Sequence, residues 1–232
     1  MRYEDLNWMD IEDYLKHDDR LMLVIGACEQ HGHLSLTADV RIPQAIADAA
    51  SHQSGVPVAP ALNFGASPYF LDYPGTFSLR TGTLLDVLED LVRSAHAQGF
   101  RRLLILNGHG GNNCARTRLV EVNNDLPDLR LNWYSWWLAH SVEAIAQKHG
   151  IHPAHANWLE AFPFTIVHEM PDGSKTPPYV PSDIMDTKTT RKVYGDGSFG
   201  DQYKVDDGIM QEIFNSTLQD VLDLLKFEGW GE

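Results

Sequence analysis

The chain has 232 residues, of which 43% are hydrophobic and 22% charged, and this length and composition predict one globular domain over residues 1–232. The formal net charge of −14 argues against a nucleic acid or an anionic membrane as a partner, because both carry the same sign. Two cysteines cannot build a disulfide framework, no apolar run reaches the ~20 residues of a membrane span, and no signal-peptide pattern follows Met1, so we expect a cytoplasmic protein.

Short apolar runs alternate along the chain with segments of helical periodicity. In chain order, we predict a strand at 20–26, a helix at 40–52, an extended segment at 56–62, a helix from a Thr83 cap to a stop at Gly99, a strand at 103–106, a helix through 115–122, a strand at 129–133, a helix at 138–148, a long excursion at 171–207 and a helix at 209–227. The prolines of the extended segment favour the edge of a sheet. Continuous apolar strands that alternate with helices are typical of a layered α/β domain with a mostly parallel sheet.

The segment directly after the first strand holds two imidazoles and two carboxylates: Glu29, His31, His33 and Asp39. In parallel α/β sheets, sites lie at the carboxyl ends of the strands, where this segment begins. Mixed nitrogen and oxygen donors suit Zn, Mn, Fe or Co better than Mg or Ca. The segment therefore predicts a metal site, with a polar loop around a hydrogen-bonded core histidine as the alternative.

A second polar segment, from Asn107 to Asn112, follows the next buried strand along the chain. His109 stands there among glycines, and Gly110 and Gly111 let the backbone approach a ligand or an ion closely. A tight strand-to-helix turn with an incidental histidine is the alternative interpretation. A phosphate cradle is disfavoured because no lysine or arginine stands in the turn.

A third segment carries His155 and Glu160, which alone favour no more than a solvated loop. Together, however, the three segments resemble the creatininase (creatinine amidohydrolase) family. The matching motifs stand in the family's order, at residues 29–32, 73–76, 99–102, 107–112, 155–160 and 195–200. The resemblance spans nearly the whole chain, from about residue 20 to residue 225.

The resemblance implies a three-layer α/β/α fold and a hydrolase with two divalent metal ions per subunit, Zn, Mn or Fe. Mapped residue by residue, it implies metal ligands at Glu29, His31, Asp39, His109 and Glu160, with Asp39 as the bridging carboxylate. It assigns the catalytic roles to His155, which would transfer a proton to the leaving nitrogen, and to Glu160. It also implies a homo-oligomer, commonly a hexamer built as a trimer of dimers.

Other side chains are expected around this centre. We predict Gln30, Asn107 and Asn112 behind the ligands, and Tyr69, Phe70 and Trp136 against the substrate. His33 is expected either behind the ligands or facing the substrate. Loop anchoring is the alternative for Tyr69 and Phe70, and core or subunit packing for the cluster Trp133, Trp136 and Trp137. Cys28 and Cys114 are predicted to be buried as small hydrophobic residues, with a soft metal ligand or redox site as the alternative.

The chain departs from the family pattern at several places, including Tyr69-Phe70 where many members carry a Glu-His pair. The first motif is one residue shorter, so Asp39 as a ligand depends on a one-residue gap. Asn157, Ala161 and Phe162 replace the Gly, Thr and Ser of the 155–160 motif and the residues after it. Gly111 stands where creatininase itself carries a metal-ligating Glu, and this disfavours creatinine as the substrate.

We therefore predict a metal-dependent hydrolase of a small amide or cyclic amide, acting on C–N bonds other than ordinary peptide bonds. One alternative is a hydrolase that opens a non-amide ring, such as a sugar-derived ketone, on the same metal centre. The other is a metal-stabilised binding protein without catalytic activity.

Overall fold

A parallel sheet of three strands crosses the middle of the computed structural model, which describes residues 1–229. The strands are β1 (Arg20–Ile25), β2 (Arg102–Asn107) and β3 (Arg130–Ser135), and they lie in the order β1-β2-β3. All three strands were predicted, and each lies within two residues of its predicted bounds. The last three residues of the predicted domain, 230–232, lie outside the described residues.

The extended segment predicted at 56–62 lies beside β1, where it makes isolated parallel bridges rather than a continuous strand. Val58 bridges to Met22 and Leu62 to Ile25. Proline has no N–H group, so Pro57 and Pro60 interrupt the ladder of hydrogen bonds. Pro57 still accepts a hydrogen bond from the Met22 N–H at 3.0 Å.

The helices of the described chain cover both faces of the sheet. They are α1 (Trp8–Tyr14), α2 (Ala38–Ser54), α3 (Thr81–Gln98), α4 (Ala115–Asp125), α5 (His140–His149), α6 (Thr187–Tyr194) and α7 (Asp207–Leu224). Side chains of β1 alternate between the faces: Met22 and Val24 pack with α2, α5 and α7, whereas Leu21, Leu23 and Ile25 pack with α3 and α4. This alternation gives two apolar cores and confirms the predicted three-layer α/β/α fold.

Two sequence predictions about helices need correction. Thr83 does not cap α3, because the helix begins at Thr81 and its N-cap residue is Arg80. The stop at Gly99 is confirmed, and a φ of +114° explains the glycine. The excursion at 171–207 contains α6 and a short antiparallel pair, β4 (Ser174–Lys175) and β5 (Asp201–Gln202). Within residues 1–229, the helices are all too short or too polar to cross a membrane.

Two glycines at the carboxyl ends of the strands let α2 approach the sheet. A Cβ atom on Gly26, after β1, or on Gly108, after β2, would collide with the main-chain carbonyl of Asp39. Asp39 lies in the first turn of α2, so the absence of both side chains brings this turn, and its carboxylate, to the sheet edge. The fold therefore places one acidic residue between the two polar segments.

We expect Gly108→Ala to destabilise the protein, because the added methyl group must displace the first turn of α2. The free energy of unfolding, measured by urea denaturation, should fall by about 1–3 kcal/mol or more, the usual cost of overpacking. Gly82→Ala is the matched control: a Cβ atom there meets nothing within 4 Å, and this helical position should gain up to about 1 kcal/mol. Equal stability of the two variants would contradict the close approach of α2.

Candidate metal centre

The five predicted ligands converge at the carboxyl edge of the sheet. Glu29 and His31 follow β1, Asp39 comes from the first turn of α2, His109 follows β2, and Glu160 ends a short 3-10 helix at Trp158–Glu160. All five are buried, with between 1% and 8% of their surface exposed. Such burial of charged groups is rare unless they are paired or bind a metal.

Asp39 lies between the two imidazoles. Its Oδ1 is 2.9 Å from His31 Nε2, and its Oδ2 is 3.0 Å from His109 Nδ1. The other two carboxylates flank this row, with Glu29 Oε1 3.3 Å from His109 Nδ1 and Glu160 Oε1 3.7 Å from His31 Nε2. Three groups of three possible donors result, and two of them contain Asp39: Glu29, Asp39 and His109 form one, and His31, Asp39 and Glu160 form the other. The third group is Glu29, His31 and His155.

Backbone carbonyls orient both imidazoles. His31 Nδ1 lies 3.1 Å from the Glu29 carbonyl oxygen, and His109 Nε2 lies 2.8 Å from the Ala66 carbonyl oxygen. A carbonyl can only accept, so these nitrogens carry the N–H groups of the neutral rings. The opposite nitrogens then direct lone pairs toward the carboxylates, which is the arrangement of histidines that ligate a metal.

Two of the three predicted amide residues, Asn107 and Asn112, contact the backbone rather than the imidazole rings. Asn107 Nδ2 donates to the His109 carbonyl at 2.9 Å, and Asn107 Oδ1 accepts from the His109 N–H at 3.1 Å. Asn112 Nδ2 donates to the Gly26 carbonyl at 3.0 Å, and its Oδ1 accepts from the Ala66 N–H at 3.2 Å. Asn112 thus positions the Ala66 carbonyl that orients His109, a contact that sequence reasoning missed.

The carboxylates around the two histidines favour the binding of cations at the centre. Burial lowers the pKa of His31, but the Asp39 and Glu160 carboxylates outweigh this and raise it well above its usual range. Burial likewise lowers the pKa of His109, and Glu29 and Asp39 raise it well above its usual range. Among the described residues, Glu29 Oε2 and Asp39 Oδ2 are buried without a hydrogen-bond donor. Three carboxylates against two imidazoles leave an excess of negative charge that divalent cations would neutralise.

A cavity of about 400 Å³ opens beside the centre. Glu29, Asp39, His109 and Glu160 form its polar wall, and its other lining residues include Tyr69, Phe70, Gly110, Gly111, Trp137, Leu138, His155 and Phe199. The His155 ring is stacked on Phe70 with centroids 4.9 Å apart and lies 4.5 Å from the His31 ring. Burial, and then the neighbouring His31, lower the pKa of His155, which favours its neutral form.

Two residues predicted near the substrate lie elsewhere. Trp136 is buried in the core with 1% of its surface exposed and packs edge-on against Phe162, whereas Trp137 lines the cavity. The reason is a 3-10 turn at Trp136–Leu138, which points adjacent side chains in different directions. The ring of His33 lies against Tyr203, at 5.9 Å between centroids, rather than behind a ligand.

The cysteines also differ from the prediction. Cys114 is exposed and Cys28 only half-buried, so the prediction of two buried cysteines is wrong for Cys114. Each thiol lies near a backbone carbonyl, Cys28 near that of Gly75 and Cys114 near that of Gly111. Both residues flank segments that hold candidate ligands.

A layered α/β domain with a buried cluster of carboxylates and imidazoles at the carboxyl edge of a parallel sheet defines a class of metal-binding protein. The creatininase family model, described as creatinine amidohydrolase, matches residues 4–225. The chain therefore belongs to the creatininase family, and the resemblance found in the sequence is confirmed.

Curated relatives match over less than half of their length. Creatinine amidohydrolase of Pseudomonas putida is 35% identical over 112 residues, which are 45% of this chain and 43% of that protein. The mycofactocin precursor peptide peptidase of Mycobacterium tuberculosis is 40% identical over 111 residues, 43% of this chain and 44% of that one. A 3-dehydro-scyllo-inosose hydrolase of Thermotoga maritima is 27% identical over 110 residues, 47% and 35% of the two chains.

Solved structures match over the whole chain. A crystal structure of creatinine amidohydrolase gives a TM-score of 0.85 at 22% identity and covers 100% of this chain and 98% of that one. A creatininase structure described as the Mn form gives a TM-score of 0.81 at 23% identity, with 99% of each chain covered. At these identities the likeness establishes the fold.

We expect Asp39→Asn to abolish tight binding of Zn²⁺ or Mn²⁺, because Asp39 belongs to two of the three donor groups. Metal content after dialysis, measured by elemental analysis, checks this. Asp220→Asn is the matched control, since Asp220 accepts hydrogen bonds from the Tyr134 and Ser141 hydroxyls and does not line the cavity. Unchanged metal content in Asp39→Asn would show that the shortened motif does not supply a ligand.

Proposed function

We propose that the chain is a metal-dependent hydrolase of a small amide or cyclic amide, with two divalent ions, Zn, Mn or Fe, held per subunit. The observation that supports this most directly is that Asp39 belongs to two of the three donor groups. Glu29 and His109 would hold one ion, His31 and Glu160 the other, and Asp39 would bridge them. From the resemblance we also propose a homo-oligomer, commonly a hexamer, and from the low cysteine content a cytoplasmic location.

When bound, such ions lower the pKa of a coordinated water toward ~7 and polarise a carbonyl group. The residues of the chain would hold the ions and orient the side chains that bind them. The backbone carbonyls of Glu29 and Ala66 fix the tautomers of the two ligand histidines, so their lone pairs stay directed at the ions. The carboxylates are buried in the protein, so bulk water reaches the cluster only from the cavity that it lines.

His155 is the cavity residue best placed to act on the substrate. Its ring is stacked on Phe70 and packs at a tilt against Phe199, with centroids 4.9 Å away in each case, and this packing restrains its plane. We assign it the contact with the leaving nitrogen, in line with the role of the matching histidine in the creatininase mechanism. Hydrogen bonds that strengthen as charge develops are worth ~10²–10⁴-fold in rate.

The cavity walls indicate the kind of amide. The residues that line the cavity in the described chain include no lysine or arginine, and several of them are aromatic. Such walls suit an uncharged substrate with an apolar part rather than an anion. Lactams, formamides and short peptide bonds all meet this description, and a relative named as a peptidase supports the last of these.

The second candidate function is the opening of a non-amide ring on the same centre. The relative named as 3-dehydro-scyllo-inosose hydrolase favours it, because that name describes hydrolysis of a sugar-derived ketone. The polar wall of the cavity could bind such a substrate as well. The same metal centre would serve both reactions, so substrate screening distinguishes them.

We expect the Zn- or Mn-loaded protein to hydrolyse members of a panel of lactams, formamides, dipeptides and cyclic ketones. Activity should vanish with a chelator and return with the metal. His155→Gln should lose about 100-fold or more in kcat while its metal content stays unchanged. His168→Gln, an exposed histidine outside the cavity lining, is the control and should keep full activity.

Two outcomes would contradict the proposal. Full activity of the chelated protein would exclude the metal centre from the reaction. A protein that loses thermal stability on chelation, but hydrolyses no compound of the panel, would instead support the metal-stabilised binding protein.

A further inference from the structure

The side chain of Gln30 contacts the Nε2 atom of the His155 ring. Gln30 Nε2 lies 2.8 Å from His155 Nε2 and 3.1 Å from the Gly197 carbonyl oxygen, and Gln30 Oε1 lies 3.1 Å from the Gly32 N–H. Gln30 itself is buried, with 4% of its surface exposed. The packing of His155 against Phe70 and Phe199 restrains the plane of the imidazole, but the position of its proton depends on its hydrogen-bond partners.

Two backbone groups fix which end of the Gln30 amide faces His155. The Gly32 N–H can only donate, so its partner must be the amide oxygen. The Gly197 carbonyl can only accept, so its partner must be the amide nitrogen. Turning the amide round would break both hydrogen bonds and leave buried groups unpaired, at a cost that exceeds one hydrogen bond.

The orientation of the Gln30 amide determines which nitrogen of the His155 ring carries the proton. Gln30 Nε2 has two hydrogens: one goes to Gly197 and the other points at His155 Nε2. That ring nitrogen must then accept, so the proton of the neutral ring resides on Nδ1. Nδ1 lies 3.9 Å from Glu29 Oε1, on the side of the metal centre.

One group competes with this arrangement. The main-chain carbonyl oxygen of Gln30 lies 3.1 Å from His155 Nε2 and would favour a proton there. The contact with the amide is shorter, at 2.8 Å, and the amide cannot be reversed. Removing the amide should therefore leave the carbonyl as the partner and move the proton from Nδ1 to Nε2.

The turn that supports Gln30 is itself held by a lysine of the long excursion. Lys175 Nζ donates to the carbonyls of Tyr194 and Ser198, both at 2.6 Å, and to the Asp196 carboxylate. Gly197 lies within this turn, at a φ of +99°, and a Cβ atom there would overlap the Gln30 amide. Lys175 thus fixes the Gly197 carbonyl that orients Gln30.

We propose that Gln30 is a positioning residue that makes His155 present an N–H group, rather than a lone pair, to the cavity, with Lys175 bracing the turn behind it. This rests on the proposed function, in which His155 contacts the substrate. A nitrogen that carries a proton cannot ligate a metal and cannot take a proton from water. His155 therefore donates a hydrogen bond to the leaving nitrogen or the carbonyl oxygen, and does not serve as a metal ligand although Nδ1 faces the centre.

The test is ¹⁵N NMR of the histidine-labelled, Zn-loaded protein, with the His155 signals assigned by their absence in His155→Gln. We expect a protonated Nδ1 and an unprotonated Nε2 in the unaltered protein, and the reverse in Gln30→Met, whose side chain has similar length but no amide. With metal content unchanged, kcat of Gln30→Met should fall about 10- to 100-fold and KM should change little.

Variants of two lysines test whether Lys175 supports the turn that contains Gly197. Lys175→Met should give a mixture of the two tautomers and a smaller loss of kcat. Lys204→Met, which removes an exposed ion pair with Asp172 in the same excursion, should change neither.

A proton on Nε2 in the unaltered protein would overturn the proposal, as would a proton that stays on Nδ1 in Gln30→Met. The spectra of the unaltered protein decide the first point even if a variant fails to fold. They also separate this proposal from the proposed function, because the tautomer can be read whether or not any amide is hydrolysed.

Discussion

The burial of three carboxylates around two imidazoles is the constraint on which the rest of the structure depends. Charges removed from water are costly unless opposite charge lies beside them, and two imidazoles cannot balance Glu29, Asp39 and Glu160. The neighbouring backbone is arranged around this cluster. Glycines at the strand ends let the first turn of α2 approach the sheet, and backbone carbonyls orient the rings of both histidines. Divalent ions would complete the balance and make the cluster stabilising.

The sheet could be predicted because its strands are buried on both faces. Such strands read as unbroken apolar runs, and leucine and isoleucine fill β2 from Leu103 to Leu106. The start of α3 was missed because Thr83 is a good capping residue by type, whereas the helix begins two residues earlier without a side-chain cap. Short elements inside the excursion were missed because α6 has few apolar residues, and its contact with the 3-10 turn at Pro68–Phe70 depends on tertiary packing.

The convergence of the candidate ligands could be predicted because most of them lie in two short motifs at neighbouring strand ends. The residues that join distant segments could not be predicted. The Ala66 carbonyl reaches His109 across 43 positions, and Lys175 supports a turn some twenty residues further on. Neither residue has a distinctive motif. Adjacent tryptophans were likewise indistinguishable by type, and only the 3-10 turn shows that Trp137, not Trp136, faces the cavity.

The central claim is that Asp39 bridges two metal ions, and anomalous X-ray diffraction from crystals grown with Zn²⁺ tests it most directly. Data on both sides of the zinc edge should show two peaks per chain on opposite sides of Asp39. One peak should lie within ligand distance of Glu29 and His109, the other within ligand distance of His31 and Glu160. A single peak, or peaks that do not share Asp39, would contradict the account.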